Sequence, residues 1–350
     1  MTTEEREPQA PAGRSRTDLR WRLAPVAVPW LVALLVLAGS VLVYPSSIRF
    51  GGLATMTPLL GVLVIASLGQ SLVIGTGGID LSVSSVITVV GVVFVMKSAG
   101  PGGSIPVALA WALGTGLLCG VVNGLLVEYV RLSPLVSTLA TGQVMAGAAN
   151  IWYGNGANRL AVPPDWRTFT GATFGRGFSY ILLAAVVLVA LTSLVLSNTA
   201  VGRRLTAAST SPRAGRYQGI AVRRYRAMTY VLASLLYSIG GVLLVGSIGT
   251  PTLSLGDVYQ LSTIVVVVLG GAALSGGRLH PAATLAGAVF LSFLNQDVAA
   301  SGAAAGTQGV IQGAVLVLAM LAASLSAGRF LRRRKPAGPE PEPLRVVPAT

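Results

Sequence analysis

The chain has 350 residues, 53 % of them hydrophobic and only 10 % charged, with a formal net charge of +14. Soluble domains carry about 25 % charged residues, and so few polar side chains cannot cover a soluble surface of this size. A cytosolic enzyme and a disordered chain are excluded, which leaves a polytopic helical membrane protein.

Apolar runs lie near 24–44, 53–75, 82–96, 105–127, 134–152, 179–197, 227–247, 259–274, 281–296 and 308–326. The expected fold is therefore all-α, a membrane helical bundle of about ten transmembrane helices. A straight span needs roughly 20 apolar residues, so the third, eighth and ninth runs are short and should be broken, tilted or shielded by neighbours. The first run is too long for a signal-peptide core and lacks a small-residue cleavage site after it, so it reads as a retained span. The expected division is a disordered N-terminal segment at 1–22, a transmembrane domain at 23–328 with a large inner loop at about 198–226, and a disordered basic, Pro-rich tail at 329–350. The loop at 153–178, with Pro163-Pro164 and Trp166, is expected to form a short interfacial cap.

Orientation follows from the cations. With the N-terminus inside, only Arg49, Lys97, Arg159, Arg167 and Arg176 fall outside, and the other 20 of the 25 Lys and Arg fall inside. This bias supports an even span count with both termini cytoplasmic, and it accounts for most of the positive charge without a nucleic-acid partner.

Several chemistries are missing. Cys119 is the only cysteine and His280 the only histidine, which excludes an internal disulfide and a Cys- or His-based metal site. Neither Lys97 nor Lys335 follows a glycine, so there is no phosphate-cradling loop for ATP. No metal or cofactor is expected. None of the ten runs contains Asp, Glu, Lys, Arg or His, whereas intramembrane charge usually marks an ion or proton path. The polar groups left in the spans are neutral. Gln70, Asn123, Thr141, Gln143, Asn150, Asn295 and Gln312 are the candidates for a pathway suited to an uncharged, hydroxyl-rich molecule. The plainer role for any one of them is a hydrogen bond to a neighbouring helix.

Two further features stand out. The pattern Gly-Gly-x-x-Leu-Ser occurs at Gly77–Ser82 and again at Gly270–Ser275, each after an apolar run and before a short one. Glycine-interrupted short spans in both halves of a transporter often border its pathway. In the inner loop, Ser211 before Pro212 reads as a helix start, with the helix running through Arg213, Ala214, Arg216 and Tyr217 and stopping at Gly219. Two short helices at the membrane surface would fit, either meeting anionic lipid or docking a cytoplasmic partner.

At this point the residues resemble a known family, the permease subunits of bacterial ABC importers for ribose, xylose and related sugars, a group that includes autoinducer-2 permeases. Gly77-Gly78-Ile79-Asp80-Leu81-Ser82-Val83-Ser84-Ser85 is similar to the family's GGIDLSVGS. Asn123-Gly124-Leu125-Leu126-Val127, then Leu139-Ala140-Thr141, resembles NGLLV…TLGT. Gly202-Arg203-Arg204, Ala207, Gly219-Ile220 and Tyr230-Val231-Leu232 match the cytoplasmic coupling loop. Gly270-Gly271 and Leu274-Ser275-Gly276-Gly277-Arg278 resemble GGTSLSGGRG. Four motifs occur in order across roughly 50–325.

The resemblance implies a permease subunit in the bacterial cytoplasmic membrane that translocates a neutral small solute, a monosaccharide, and performs no bond chemistry. It implies a second permease copy or paralogue, an extracytoplasmic solute-binding protein, and a cytoplasmic ABC ATPase docked on Ser209, Thr210, Ser211, Pro212, Arg213, Ala214, Arg216, Gly219 and Ile220. It gives Gly77, Gly78, Asp80, Ser82, Gly270, Gly271, Ser275, Gly276, Gly277 and Arg278 a structural role, with Asp80 capping the third span. One departure is clear: where the family reads GGNEEAA, this chain reads Ser209-Thr210-Ser211-Pro212-Arg213-Ala214-Gly215, so an acidic pair becomes Pro212-Arg213. The residues alone leave open an ion-coupled or facilitative carrier of a neutral solute.

Overall fold

The computed structural model describes residues 16–156, 159–302 and 305–333. The disorder expected of 1–22 and 329–350 thus lies outside the described residues over 1–15 and 334–350. The first and last helices begin and end inside the remainder of those two segments.

The elements in chain order are α1 Arg16–Val43, α2 Phe50–Gly75, α3 Val83–Ala99, α4 Ile105–Glu128, α5 Pro134–Gly154, α6 Pro164–Gly171, a minimal hairpin of β1 Thr173–Phe174 and β2 Phe178–Ser179, α7 Tyr180–Asn198, α8 Ala200–Thr210, α9 Pro212–Tyr217, α10 Val222–Ile248, α11 Asp257–Leu269, α12 Pro281–Ala300 and α13 Ala305–Arg333. The molecule is a polytopic helical bundle. Each of the ten apolar runs overlaps a helix of its own. Six helices (α1, α2, α4, α7, α10 and α12) are long and apolar enough to cross a membrane, while α3, α11 and the 309–321 stretch of α13 are shorter apolar helices.

Local chemistry sets the helix starts. Proline occupies the first turn of α4, α5, α9 and α12, where its missing N–H costs nothing. Ser179 opens α7 by accepting from the Ile181 amide at 3.0 Å, and Thr199 opens α8 by accepting from Gly202 at 3.0 Å.

Helix α2 is the centre of the bundle. Val62, Val64, Ile65 and Leu68 are fully buried, and α7, α10, α11 and α12 pack around it. Helices α4 and α10 pack backbone to backbone. Gly116, Gly120 and Gly124 form one stripe of α4, and a Cβ at Gly120 would lie 2.7 Å from the Val231 Cα. Small residues at this spacing let two backbones touch, which is how helices associate where lipid removes the hydrophobic drive.

At one end of the bundle, α6 packs on α10, while the hairpin packs on α2 and α7, with the Thr57 hydroxyl donating to the Gly177 carbonyl at 3.2 Å. The Trp166 indole N–H donates to the Val242 carbonyl at 3.2 Å, and the Val162 amide donates to Gly249 at 2.9 Å. Thr76, Glu128 and Arg226 meet at the opposite end.

Two expectations need correction. The eighth run was placed at 259–274, but α11 stops at Leu269, because Gly270 packs against the Ala283 backbone and Gly271 takes φ +80°. Helix α12 also reaches beyond its charge-free apolar run at 281–296, through Asp297 to Ala300. The run stops four residues before the helix does because hydropathy cannot see a carboxylate oxygen that a neighbour engages, and here Ser40 of α1 donates to Asp297.

Candidate functional site: a buried polar loop joined to a basic end

The Thr76–Ser82 stretch between α2 and α3 gathers the most polar chemistry inside the bundle. Asp80 is fully buried, and its Oδ1 accepts from the Ser82 amide at 2.9 Å and from the Ser82 hydroxyl at 2.6 Å. The carboxylate therefore closes a turn just ahead of α3, whereas a cap on the helix's own amides was expected. Asn123 of α4 donates to Ser82 Oγ at 3.0 Å, and Thr141 of α5 donates to Asn123 Oδ1. The Leu81 amide donates to Thr138 Oγ1 at 3.0 Å. One loop thus ties α4 to α5 through neutral donors and acceptors plus one satisfied carboxylate oxygen.

The seven pathway candidates divide among several places. Asn123 and Thr141 belong to this network. Gln70 is fully buried nearby on α2 and accepts from the Tyr237 hydroxyl at 2.8 Å. Gln143 and Asn150 lie on the exposed face of α5, where Asn150 donates back to the Ala146 carbonyl. Asn295 and Gln312 pair at 3.4 Å beside a cavity of about 450 Å³, and Ser262 donates to Gln312 at 3.3 Å.

The two Gly-Gly motifs meet. The Gly277 amide donates to the Gly75 carbonyl at 2.9 Å. Gly77 and Gly276 both have positive φ, +81° and +90°, and a Cβ on Gly276 would lie 2.9 Å from the Gly77 nitrogen. Only glycine combines that backbone with that approach. Gly271, Ser275 and Arg278 are exposed on the same connection, while Gly78 sits under the Tyr230 hydroxyl. His280 is half-buried at the start of α12, and burial, followed by the Arg278 charge, holds its imidazole below the usual histidine range.

A second site adjoins the first. Arg226, at the start of α10, donates to the Thr76 carbonyl at 2.9 Å and pairs with Glu128 at 3.1 Å. It joins the α2–α3 loop to the end of α4. In the sequence Arg226 is one of many inner-face cations, and only the fold brings it to Glu128.

The connection from α7 to α10 folds as two short helices, α8 and α9. Helix α9 starts at Pro212 behind Ser211, as expected, but the Ser211 side chain makes no cap bond. It ends in a Schellman turn: Gly219 has φ +73°, the Ile220 amide donates to Gly215 at 3.0 Å, and the Gly219 amide donates to Arg216 at 3.0 Å. Arg213, Ala214, Arg216 and Thr210 are exposed, and Ser209 is buried. Between α9 and the α4–α5 connection lies a cleft of about 730 Å³ lined by Arg131, Arg216, Arg223, Arg224 and Glu128 among others. Among the described residues, no group of three His, Cys, Asp or Glu comes together as a metal site.

A family model described as branched-chain amino acid transport system / permease component matches residues 52–320. A probable ABC transporter permease protein of Sinorhizobium fredii is 34 % identical over 87 % of this chain and 90 % of its own length. A galactofuranose transporter permease protein of Escherichia coli K12 is 32 % identical over 86 % and 89 %, and a ribose import permease protein of the same strain 30 % over 83 % and 91 %. No solved structure matches the chain. A family match over most of the sequence, carried by a bundle of apolar helices, means that this chain belongs to the branched-chain amino acid transport system / permease component family and is a multi-pass membrane permease.

Proposed function

We propose that the chain is the permease subunit of an ABC importer that carries a neutral monosaccharide across the bacterial cytoplasmic membrane, powered by a separate ATPase, and that it is not itself an enzyme. Its similarity to galactofuranose and ribose permeases supports a sugar over an amino acid, and so does the chemistry of the interior. Around the one buried acid, Asp80, which Ser82 engages, Asn123, Thr141, Gln70 and Tyr237 offer hydroxyls and amides, the donors and acceptors that suit a sugar.

The proposed topology has ten spans, α1 to α5, α7 and α10 to α13, within a domain at 23–328, with both termini and the arginine-rich end cytoplasmic. The ATPase docks on α8 and α9, and a solute-binding protein docks at the end covered by α6. Gln143 and Asn150, exposed on α5, would be costly against hydrocarbon, so that face meets the aqueous pathway or a second permease copy.

The observation that carries the coupling proposal is Arg226. Helix α9 leads through its Schellman turn into α10, whose first turns hold both Thr76 and Glu128 through Arg226. A push on α9 is thereby delivered to the loop that carries Asp80 and Ser82. Arg213 stands exposed where the resembled family is acidic, so the partner ATPase should present an acidic socket. With the ATPase and binding protein co-reconstituted, Arg213→Glu should abolish ATP-driven uptake while leaving the permease folded and in the membrane. Unimpaired uptake by this variant would count against docking there.

A further inference from the structure

One cavity takes no part in the account above. It is an apolar groove of about 430 Å³ between α7 and α10, walled by Leu191 and Val195 on one side and Leu232 and Leu235 on the other, with Leu72 of α2 also lining it. Leu191 and Val195 are among the exposed apolar residues of α7, so in a bilayer the groove opens onto lipid. Helix α8 closes one end with Val201 and Leu205.

The same short helix carries two guanidinium groups at this closed end. Arg204 donates to the hydroxyl of Tyr225, a groove-lining residue, at 3.4 Å, and Arg203 donates to the Asn198 carbonyl at the end of α7 at 3.2 Å. The two arginines are thus tethered to the two helices that form the walls. No acidic residue occurs between 198 and 226 to neutralise them.

We propose that this groove binds one acyl chain of an anionic phospholipid, whose phosphate is held by Arg203 and Arg204. On α8 the two cations lie between the groove residues Val201 and Leu205, so a phosphate at this end of the groove is within reach of both the slot and the guanidinium groups. In the topology proposed above, this is a lipid of the cytoplasmic leaflet, where anionic headgroups attract basic segments. Such a lipid would brace α8, one of the two helices on which the ATPase is proposed to dock. The binding itself requires only that the chain be embedded in a bilayer.

The test uses the full-length purified protein in vesicles containing either phosphatidylglycerol or phosphatidylcholine with the same photoactivatable acyl chain. Phosphatidylglycerol should label the α7 and α10 peptides around Leu191 and Leu232 at least tenfold more than phosphatidylcholine, since each arginine near an anionic headgroup contributes roughly fivefold. R203Q/R204Q should reduce that labelling to the phosphatidylcholine level, R203K/R204K should restore most of it, and Leu232→Trp should block both lipids. Equal labelling by the two headgroups, labelling indifferent to R203Q/R204Q, or labelling spread evenly over all lipid-facing helices would overturn the proposal. Should a variant fail to fold, the comparison of headgroups on the unaltered protein still decides.

Discussion

Ser82 is the residue on which the interior polar network turns. It donates to Asp80, accepts from Asn123, and lies 4.0 Å from the sulfur of Cys119. Replacing Asp80 with Ala leaves the Ser82 amide and hydroxyl without their acceptor in a fully buried position, a loss of about 1–3 kcal/mol. Thermal unfolding in detergent should register that loss, and Cys119, now only 3 % exposed, should react faster with a maleimide. An unchanged melting point together with an unchanged labelling rate would show that Asp80 does not organise this loop.

His280 supplies a pH signature at the same scale. Its folded-state pKa is lowered, so below about 6.5 the unfolded chain binds a proton that the folded chain resists. Stability should therefore fall as pH drops through that range and recover above it. His280→Gln should flatten the profile, and a profile identical to that of the unaltered protein would contradict the assignment. Asn123 and Thr141 were legible in the sequence because uncharged polar residues in apolar runs are few. Their partner Ser82 was legible only as part of a motif, since its contacts span 41 residues of sequence to Asn123.

At the scale of elements, the position and length of the apolar runs located every long helix, and Ser-Pro and Gly signals located α9 to within a residue or two. What failed was the end of α11 and the reach of α12, because both depend on tertiary partners: the Ala283 backbone against Gly270, and Ser40 against Asp297. The same blindness hid the bond between elements made by Arg226. Arg226→Gln should destabilise the fold by about 1–3 kcal/mol, since it leaves Glu128, only 8 % exposed, without its cation. Glu128→Gln added to it should cost less than the sum of the two single changes. A double-mutant cycle measures this coupling, and strict additivity would show that the pair does not link α4 to α10. Uptake should fall further than stability in these variants, because the same contact is proposed to pass motion from α9 to the Thr76–Ser82 loop.

For the whole molecule, the proposed orientation assigns the bundle's two ends to opposite sides of the membrane. Thr76, Glu128 and Arg226 join at the end assigned to the cytoplasm, and Trp166 and Gly249 lie at the end assigned to the outside. What no single chain displays is the surface that covers Gln143 and Asn150. If two copies meet along α5, Asn150→Cys in a Cys119→Ser background should form an oxidant-dependent dimer in membranes, and a purely monomeric product would move the second copy to another face.

The central claim is that a neutral-lined bundle is driven by a motor it does not contain. The most direct measurement is monosaccharide uptake into vesicles holding this chain with and without its ATPase and binding protein. Uptake should require both partners and ATP, and should persist when ion gradients are collapsed. Full uptake by this chain alone, or uptake that stops when an ion gradient is dissipated while ATP remains, would contradict it.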